Sequence, residues 1–402
     1  MVDEDHAATD KTIAMRLSRV RTFLRLAFLA CGLLAGAAEA DELGVTNDTI
    51  LFGQVAALEG PSAAIGQAER LGLRAAFTEI NSKGGVHGRK LRLVSRNDGY
   101  DPDRSVVETV KLIYEDKVFA LIGAVGTPTA IATVPIAASN DVPYIGPVSG
   151  ADFLRDPQFQ NVVNIRPSHG AEAEVWIKHL TEELHLTRIG IFYEDDNFGR
   201  DLLTGVKASL DRRGLELAAE GTFERNTRVV SAAFKVIRRA EPEAVILVGT
   251  YGPCAEFIKM AHRSGFTPTF VAASFAGANA LAKELGPEGR GVIVSDVVPF
   301  PWDTQQKLVA DYQTAQKALD PGQAPDFIAL EGYLTGRLVA QALEMAGPNP
   351  TRADLLRVIN EAGQFDIGGT TVAFGTALRS NPPHVSLAVI QSDGSFKPLD
   401  GF

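Results

Sequence analysis

Two stretches of this chain end an apolar run in glycine and then open a helix on proline, an arrangement that offers a small anion a seat. The first is Ala120-Leu121-Ile122-Gly123-Ala124-Val125-Gly126-Thr127-Pro128. Residues 119–122 read as a buried strand, and Gly123 and Gly126 let the backbone bend and be approached closely. Pro128 suits the first helical position, where its missing N–H costs nothing, and Thr127 is placed to cap that helix with its hydroxyl. The free N–H groups of such a helix start favour a carboxylate. The second stretch, Ala244-Val245-Ile246-Leu247-Val248-Gly249-Thr250-Tyr251-Gly252-Pro253, repeats the pattern. Capping alone would account for hydroxyls such as Thr127 and Ser149; the duplication is what favours a ligand.

Signatures of catalysis are weak. Gly146-Pro147-Val148-Ser149-Gly150 has its serine one place late for a Gly-x-Ser-x-Gly nucleophile elbow. Neither Gly84-Gly85-Val86-His87-Gly88 nor Gly249-Thr250-Tyr251-Gly252 makes a dinucleotide fingerprint. The seven histidines are scattered, and His179 and His185, six apart, do not share a helix face for a metal and read as surface residues. The expectation is a protein without enzymatic activity, metal or cofactor. Of two cysteines, Cys31 falls in the leader, with lipidation as the alternative to loss. Cys254, at a helix start, is either a low-pKa thiol or, the favoured reading, a small packed residue.

The elements that must position these residues alternate strand and helix. The chain has 402 residues, 45% of them hydrophobic, and a net charge of −10, which argues against nucleic-acid binding. Arg16, Arg19, Arg21 and Arg25 precede an apolar run over 26–38, and Ala38-Glu39-Ala40 fits a signal-peptidase site before Asp41. Residues 1–40 therefore read as a secretory signal peptide, with Met15 the candidate true start. Strands are expected at 49–58, 90–95, 119–122, 142–146 and 161–166, with helices between the first four and the turn 147–151 before the last. After Pro167 the pattern restarts: helix 170–185, strand 188–193, helix 200–213, strand 215–219, helix 230–240, strand 244–248, helix 254–264, strand 269–273, helix 278–285 and strand 292–297. Long helices follow at 305–319 and 327–346, a shorter one at 353–361, then strands at 368–374 and 385–391. Such alternation implies α/β architecture with doubly wound parallel sheets, and the restart implies two lobes. Ligands of open α/β sheets sit beyond the carboxyl ends of the strands, so the two glycine–proline units would face one cleft.

In the order and spacing of several segments the chain resembles the leucine/isoleucine/valine-binding class of periplasmic solute-binding proteins. These are the strand from Ile50 to the turn at Gly60, Asn97-Asp98-Gly99-Tyr100-Asp101-Pro102, Ile122-Gly123, Tyr193-Glu194-Asp195-Asp196-Asn197-Phe198-Gly199 and Phe396-Lys397-Pro398. The resemblance implies the type I periplasmic binding protein fold, with three crossovers near 164–167, 297–301 and 372–375. Lobe 1 would take 41–165 and 298–373, lobe 2 would take 166–297 and 374–402. It implies a ligand carboxylate held by hydroxyls and N–H groups at Gly126 and Thr127 and at Ser149, Gly150 and Ala151, with Ser62 at the mouth. From the other lobe Phe198 and Tyr251 would close over the ligand. Tyr100, Asn197 and Phe300 complete the expected neighbours, although hinge packing is an equal reading of Phe300 and Trp302.

One stretch departs from the pattern. Amino-acid binders of this class carry an acid after the strand that ends here near Ala273, to pair with the ligand ammonium, whereas this chain has Ala272-Ala273-Ser274-Phe275-Ala276-Gly277. An unpaired desolvated ammonium is costly. Phe275 would make the pocket more apolar and suits an aromatic or aliphatic acid, an amide, or an amino acid held by Glu59 or Asp196 instead. The expected function is that of an exported, periplasmic and monomeric solute-binding protein that closes on a small carboxylate-bearing ligand and delivers it to ABC transporter permease subunits. A sensing module for a receptor is the alternative, and an exported hydrolase the more remote one.

Overall fold

A computed structural model describes residues 42–379 and 384–399; the expected leader, the Met15 start and Cys31 lie outside them. The first lobe is built from β1 (Thr49–Ala56), α1 (Ala63–Ser82), β2 (Lys90–Asn97), α2 (Pro102–Tyr114), β3 (Ala120–Ile122), α3 (Thr127–Ala138), β4 (Tyr144–Ile145) and β5 (Val162–Val163). Its strands form a parallel sheet in the order β2-β1-β3-β4-β5. Alternation along β1 turns Phe52 to Phe77 and Phe119, at 5.3 and 6.1 Å, and turns Val55 into a second core shared with Leu112 and Leu121. Both faces are thus buried, as a parallel sheet requires. The register sets Ala56 opposite Asn97, so β1 and β2 release their loops, with Ser62 and Tyr100, at the same edge.

The second lobe begins with α4 (His169–Lys178), which widens into a π turn over His179–Glu183, and continues through β6 (Ile189–Glu194), α5 (Asn197–Asp211), β7 (Ala219–Phe223), α6 (Ser231–Ala240), β8 (Ala244–Val248), α7 (Tyr251–Arg263), β9 (Thr269–Ala272), α8 (Ala278–Leu285) and β10 (Ile293–Asp296). Then come α9 (Lys307–Leu319), α10 (Phe327–Ala346), α11 (Arg352–Ala362), the hairpin of β11 (Gln364–Ile367) and β12 (Thr370–Ala373), and finally β13 (Ser386–Ile390) and β14 (Phe396–Pro398). The second sheet runs β14-β13-β10-β9-β8-β6-β7. Its core is parallel, and β13 joins β10 antiparallel. Helix α10 crosses α1 with backbones nearly touching: a Cβ on Gly72 would stand 1.9 Å from the Ala329 carbonyl.

Several elements differ from the sequence expectation for identifiable reasons. The strand expected at 215–219 lies at Ala219–Phe223, because pairing with β6 starts at Ala219 and Phe223 stacks on Phe192 at 4.7 Å. Helix α5 starts three residues early, since the Asp196 carboxylate accepts from the Phe198 and Gly199 amides. The single strand expected at 368–374 is a hairpin turning at Gly368-Gly369, both at positive φ (63° and 87°). His179, expected at the surface, is buried, with Nδ1 2.8 Å from Glu183.

Candidate functional site

At the carboxyl edge of the first sheet, β3 gives way to a glycine turn and α3. The N-cap of α3 is Gly126, at φ 105°, and Thr127 is the first helical residue. The expected capping role of Thr127 is therefore corrected: its hydroxyl turns instead to Ser149 Oγ, 2.7 Å away. Ser149 Oγ also accepts from the Ala151 amide at 3.2 Å. A parallel bridge between Val125 and Val148 holds the two turns side by side. Two hydroxyls and the start of a twelve-residue helix thus converge, all buried, and the unfilled N–H groups of a helix start attract an anion. Arg155, which the sequence reading overlooked, holds this turn from behind by donating to the Gly150, Ala151 and Arg166 carbonyls at 3.2, 3.0 and 2.6 Å.

Gly150 does not offer its N–H as expected. The amide donates to His169 Nε2 at 3.1 Å, and the His169 amide returns a bond to the Gly150 carbonyl at 2.8 Å. Accepting at Nε2 leaves the His169 proton on Nδ1, which faces Asp201 Oδ2 at 2.5 Å. The imidazole at the head of α4 is therefore a clasp between lobes, and no sequence motif pointed to it.

The aromatics meet over the seat. Phe198 and Phe275 of the second lobe lie 4.8 Å apart, Tyr100 of the first lies 5.7 Å from Phe275, and His169 stands edge-on to Phe198 at 5.6 Å. Tyr100 holds a left-handed backbone, φ 60°, pinned by the buried Asp98, which accepts from its amide at 2.8 Å. A Cβ on Gly126 would stand 2.3 Å from Tyr100 Cε2, so only glycine admits that ring. Asn197 is exposed and, with Thr127, Ala151, Arg200 and Asp201, lines a groove of about 450 Å³ at the seam. A groove of about 500 Å³ lies behind the same turn, lined by Arg155, Arg166 and Ser168, and one of about 660 Å³ lies beside Asn140 and Arg352.

Tyr251 is half-buried and its hydroxyl accepts from the Ala64 amide at 3.5 Å. Ser62 Oγ reaches Asn226 Oδ1 at 3.3 Å, and Asn226 Nδ2 donates to the Gly99 and Tyr100 carbonyls at 3.1 and 3.3 Å. Asn226 and its neighbour Arg225, whose guanidinium sits 5.9 Å from the Tyr100 ring centroid, come from a motif-free loop. Phe300 is not brought to the trio. It packs against Trp302 at 5.1 Å and Phe327 at 6.0 Å, beside Phe396. Cys254 is buried in the second lobe beside Phe192 and Phe257, and burial, then the Glu194 charge, push its thiol up rather than down.

The two acids put forward for a ligand ammonium differ in their engagement. Glu59 is exposed and 3.4 Å from Asn97, while Asp196 caps α5 with one oxygen and meets Arg225 at 3.3 Å with the other. A charge network sits at the joint of the lobes. Arg166 binds Glu331 and Ser274, and Glu172 accepts from the Ser274 amide at 2.7 Å and from Ser295 Oγ. Glu69 is fully buried beside them, with neither oxygen partnered among the described residues. Burial, then the Glu331 charge, hold its carboxyl well above the usual range against the opposing pull of Arg166.

Two parallel-sheet lobes that meet over a polar seat and an aromatic cover are the architecture of a type I periplasmic binding protein. The chain belongs to the periplasmic binding protein family, whose profile matches residues 49–395. It is similar to the Leu/Ile/Val-binding protein homolog 7 of Brucella suis, 26% identical over 260 residues that make up 63% of each chain. The match thus spans less than two thirds of that relative. It is also similar to the leucine-, isoleucine-, valine-, threonine-, and alanine-binding protein of Pseudomonas aeruginosa, 22% identical over 75% of this chain and 79% of that one. A solved structure of a possible leucine/isoleucine/valine-binding protein from Rhodopirellula baltica superposes with a TM-score of 0.81 at 33% identity, covering 90% of this chain and 98% of that one. The relatives with which the chain groups are named as leucine/isoleucine/valine-binding proteins.

Proposed function

We propose that this chain is the exported solute-binding component of an ABC importer and closes its two lobes on a small carboxylate-bearing ligand. The observation that carries this reading is the buried Thr127–Ser149 pair at the head of α3, covered from the opposite lobe by His169 and Phe198. Thr127 and Ser149 would donate to the carboxylate, with Ala151 N–H close by, and Phe198 and Phe275 would exclude water. Ser62, Asn226 and Tyr251 would hold the mouth. In this reading residues 1–40 direct export, the lobes divide at 165–166, 297–298 and 373–374, and permease subunits of the importer are the partner.

The lobes swing about the three crossovers, the hinge-closing behaviour for which periplasmic binding proteins serve as a general example. Binding only to the closed form pulls the population toward it in proportion to the difference in affinity between the two forms. A thermal-shift screen over branched-chain amino acids, aromatic acids, short-chain acids and their amides tests the reading. A true ligand at 100 times its dissociation constant adds about 2.7 kcal/mol of stability. Stabilisation by amides but by no acid would overturn the carboxylate assignment.

A further inference from the structure

Glu194 closes β6 at the cleft edge and is fully buried, yet neither carboxylate oxygen makes a well-formed hydrogen bond among the described residues. Alternation puts it on the same face of β6 as Phe192. Phe192 is stacked between Phe223 and Phe257 at 4.7 and 4.6 Å, so the carboxylate crowns an aromatic stack. The nearby cation does not compensate it directly, because Arg225 is engaged with Asp196 and with the Tyr100 ring. Facing it from the first lobe is the Tyr100 hydroxyl, also fully buried, which among the described residues has no partner but Glu194 itself. Each feels the other: burial, then the Asp196 charge, hold the Glu194 carboxyl well above the usual range while Tyr100 pulls it down, and burial, then the Glu194 charge, raise the Tyr100 phenol. The Tyr100 ring lies at the other side against Gly126, beside the seat for the carboxylate. A buried carboxyl and a buried phenol that have little but each other, one from each lobe, are a costly feature in a merely structural joint.

We propose that Glu194 and the Tyr100 hydroxyl form a second polar subsite, one aromatic ring away from the Thr127–Ser149 seat, that takes a hydrogen-bond donor at the far end of the ligand. Its ligands are carboxylic acids bearing a remote ammonium, amide or hydroxyl. The inference rests on the carboxylate reading given above. It also supplies an acid where the stretch around Phe275 has none.

The test is calorimetric titration of the full chain with matched probes: benzoate, 4-hydroxybenzoate, 4-aminobenzoate and 4-hydroxybenzamide, with butyrate and 4-aminobutyrate as a flexible pair. The wild type should bind a donor-bearing acid at least tenfold more tightly than its donor-free partner. Glu194→Leu should erase that preference and leave the donor-free acid unaffected, and Tyr100→Phe should reduce it. Preference that persists in Glu194→Leu, or donor-free acids that bind the wild type equally well, overturn the subsite while leaving the carboxylate seat standing. Equal binding of 4-hydroxybenzamide and 4-hydroxybenzoate, both lost in Glu194→Leu, instead removes the seat and keeps the subsite. Melting of the protein without probes gives a second reading. Glu194→Gln should melt at or above the wild-type temperature, and a fall of several degrees would mark Glu194 as structural and overturn the proposal.

Discussion

Arg166 donates through Nε and Nη2 to the two carboxylate oxygens of Glu331, at 2.6 and 2.8 Å, and both side chains are buried. Its remaining nitrogen reaches Ser274 Oγ at 3.0 Å, so one guanidinium at the first crossover touches both lobes. Breaking such a pair strands a buried charge. Arg166→Met should cost about 3–5 kcal/mol in urea unfolding, and the double variant Arg166→Met/Glu331→Leu should recover most of it. A single variant within 1 kcal/mol of wild type would contradict this.

Glu69 supplies a pH dependence with a definite sign. Its folded-state pKa is raised well above 4.5, chiefly by burial. From the unfolded pKa upward the native state holds more protons than the unfolded chain, so stability is greatest below that pKa and falls as pH rises toward the folded value. Glu69→Gln should flatten the decline of melting temperature above pH 4.5. A wild-type-minus-variant difference that does not change with pH would show that Glu69 does not titrate there.

Thr127→Ala should weaken ligand binding by about 1–3 kcal/mol, because a hydrogen bond to a charged group is lost. Ser149→Ala should have a similar effect, and the double variant should cost less than the sum, since the two hydroxyls bond one another. Unchanged affinity in calorimetry would remove Thr127 from the seat.

His169→Ala deprives the Gly150 amide of its acceptor. The change also removes the Asp201 and Phe198 contacts within the second lobe, and affinity should drop about tenfold, roughly 1.4 kcal/mol, chiefly through faster dissociation. An unchanged off-rate in stopped-flow measurements would count against the clasp.

The chain has two tryptophans. Trp176 is fully buried in the second lobe, whereas Trp302 is half-buried at a crossover, stacked on Phe396 at 5.4 Å and edge-on to Phe327. Ligand-induced fluorescence change should vanish in Trp302→Phe and survive in Trp176→Phe. The opposite pattern would place the moving contact elsewhere.

Much of this fold was legible because its signals are local. Apolar runs such as 244–248 are strands buried on both faces, and glycine before proline marks where they end. The helices at 278–285 and 327–346 match the structure residue for residue. The site was legible only in part. Thr127, Ser149, Phe198 and Phe275 follow strand ends, where an α/β sheet must put its ligand. His169 and Asn226 act through contacts between segments apart in the chain, which no local pattern encodes, and Arg155 reaches nearby carbonyls within a turn that carries no motif. Glu194 looked like one acid among three in Glu194-Asp195-Asp196. Only the pleat of β6 separates the buried one from its exposed and capping neighbours.

The Asn226 clasp reads main-chain carbonyls at Gly99 and Tyr100 rather than their side chains. Whatever residue occupies position 100, those oxygens remain, provided the turn keeps its shape. Selection can therefore redraw what the cleft recognises without relearning how its halves meet. If the lobes close on a ligand as proposed, what is bound and how the halves meet are separately heritable.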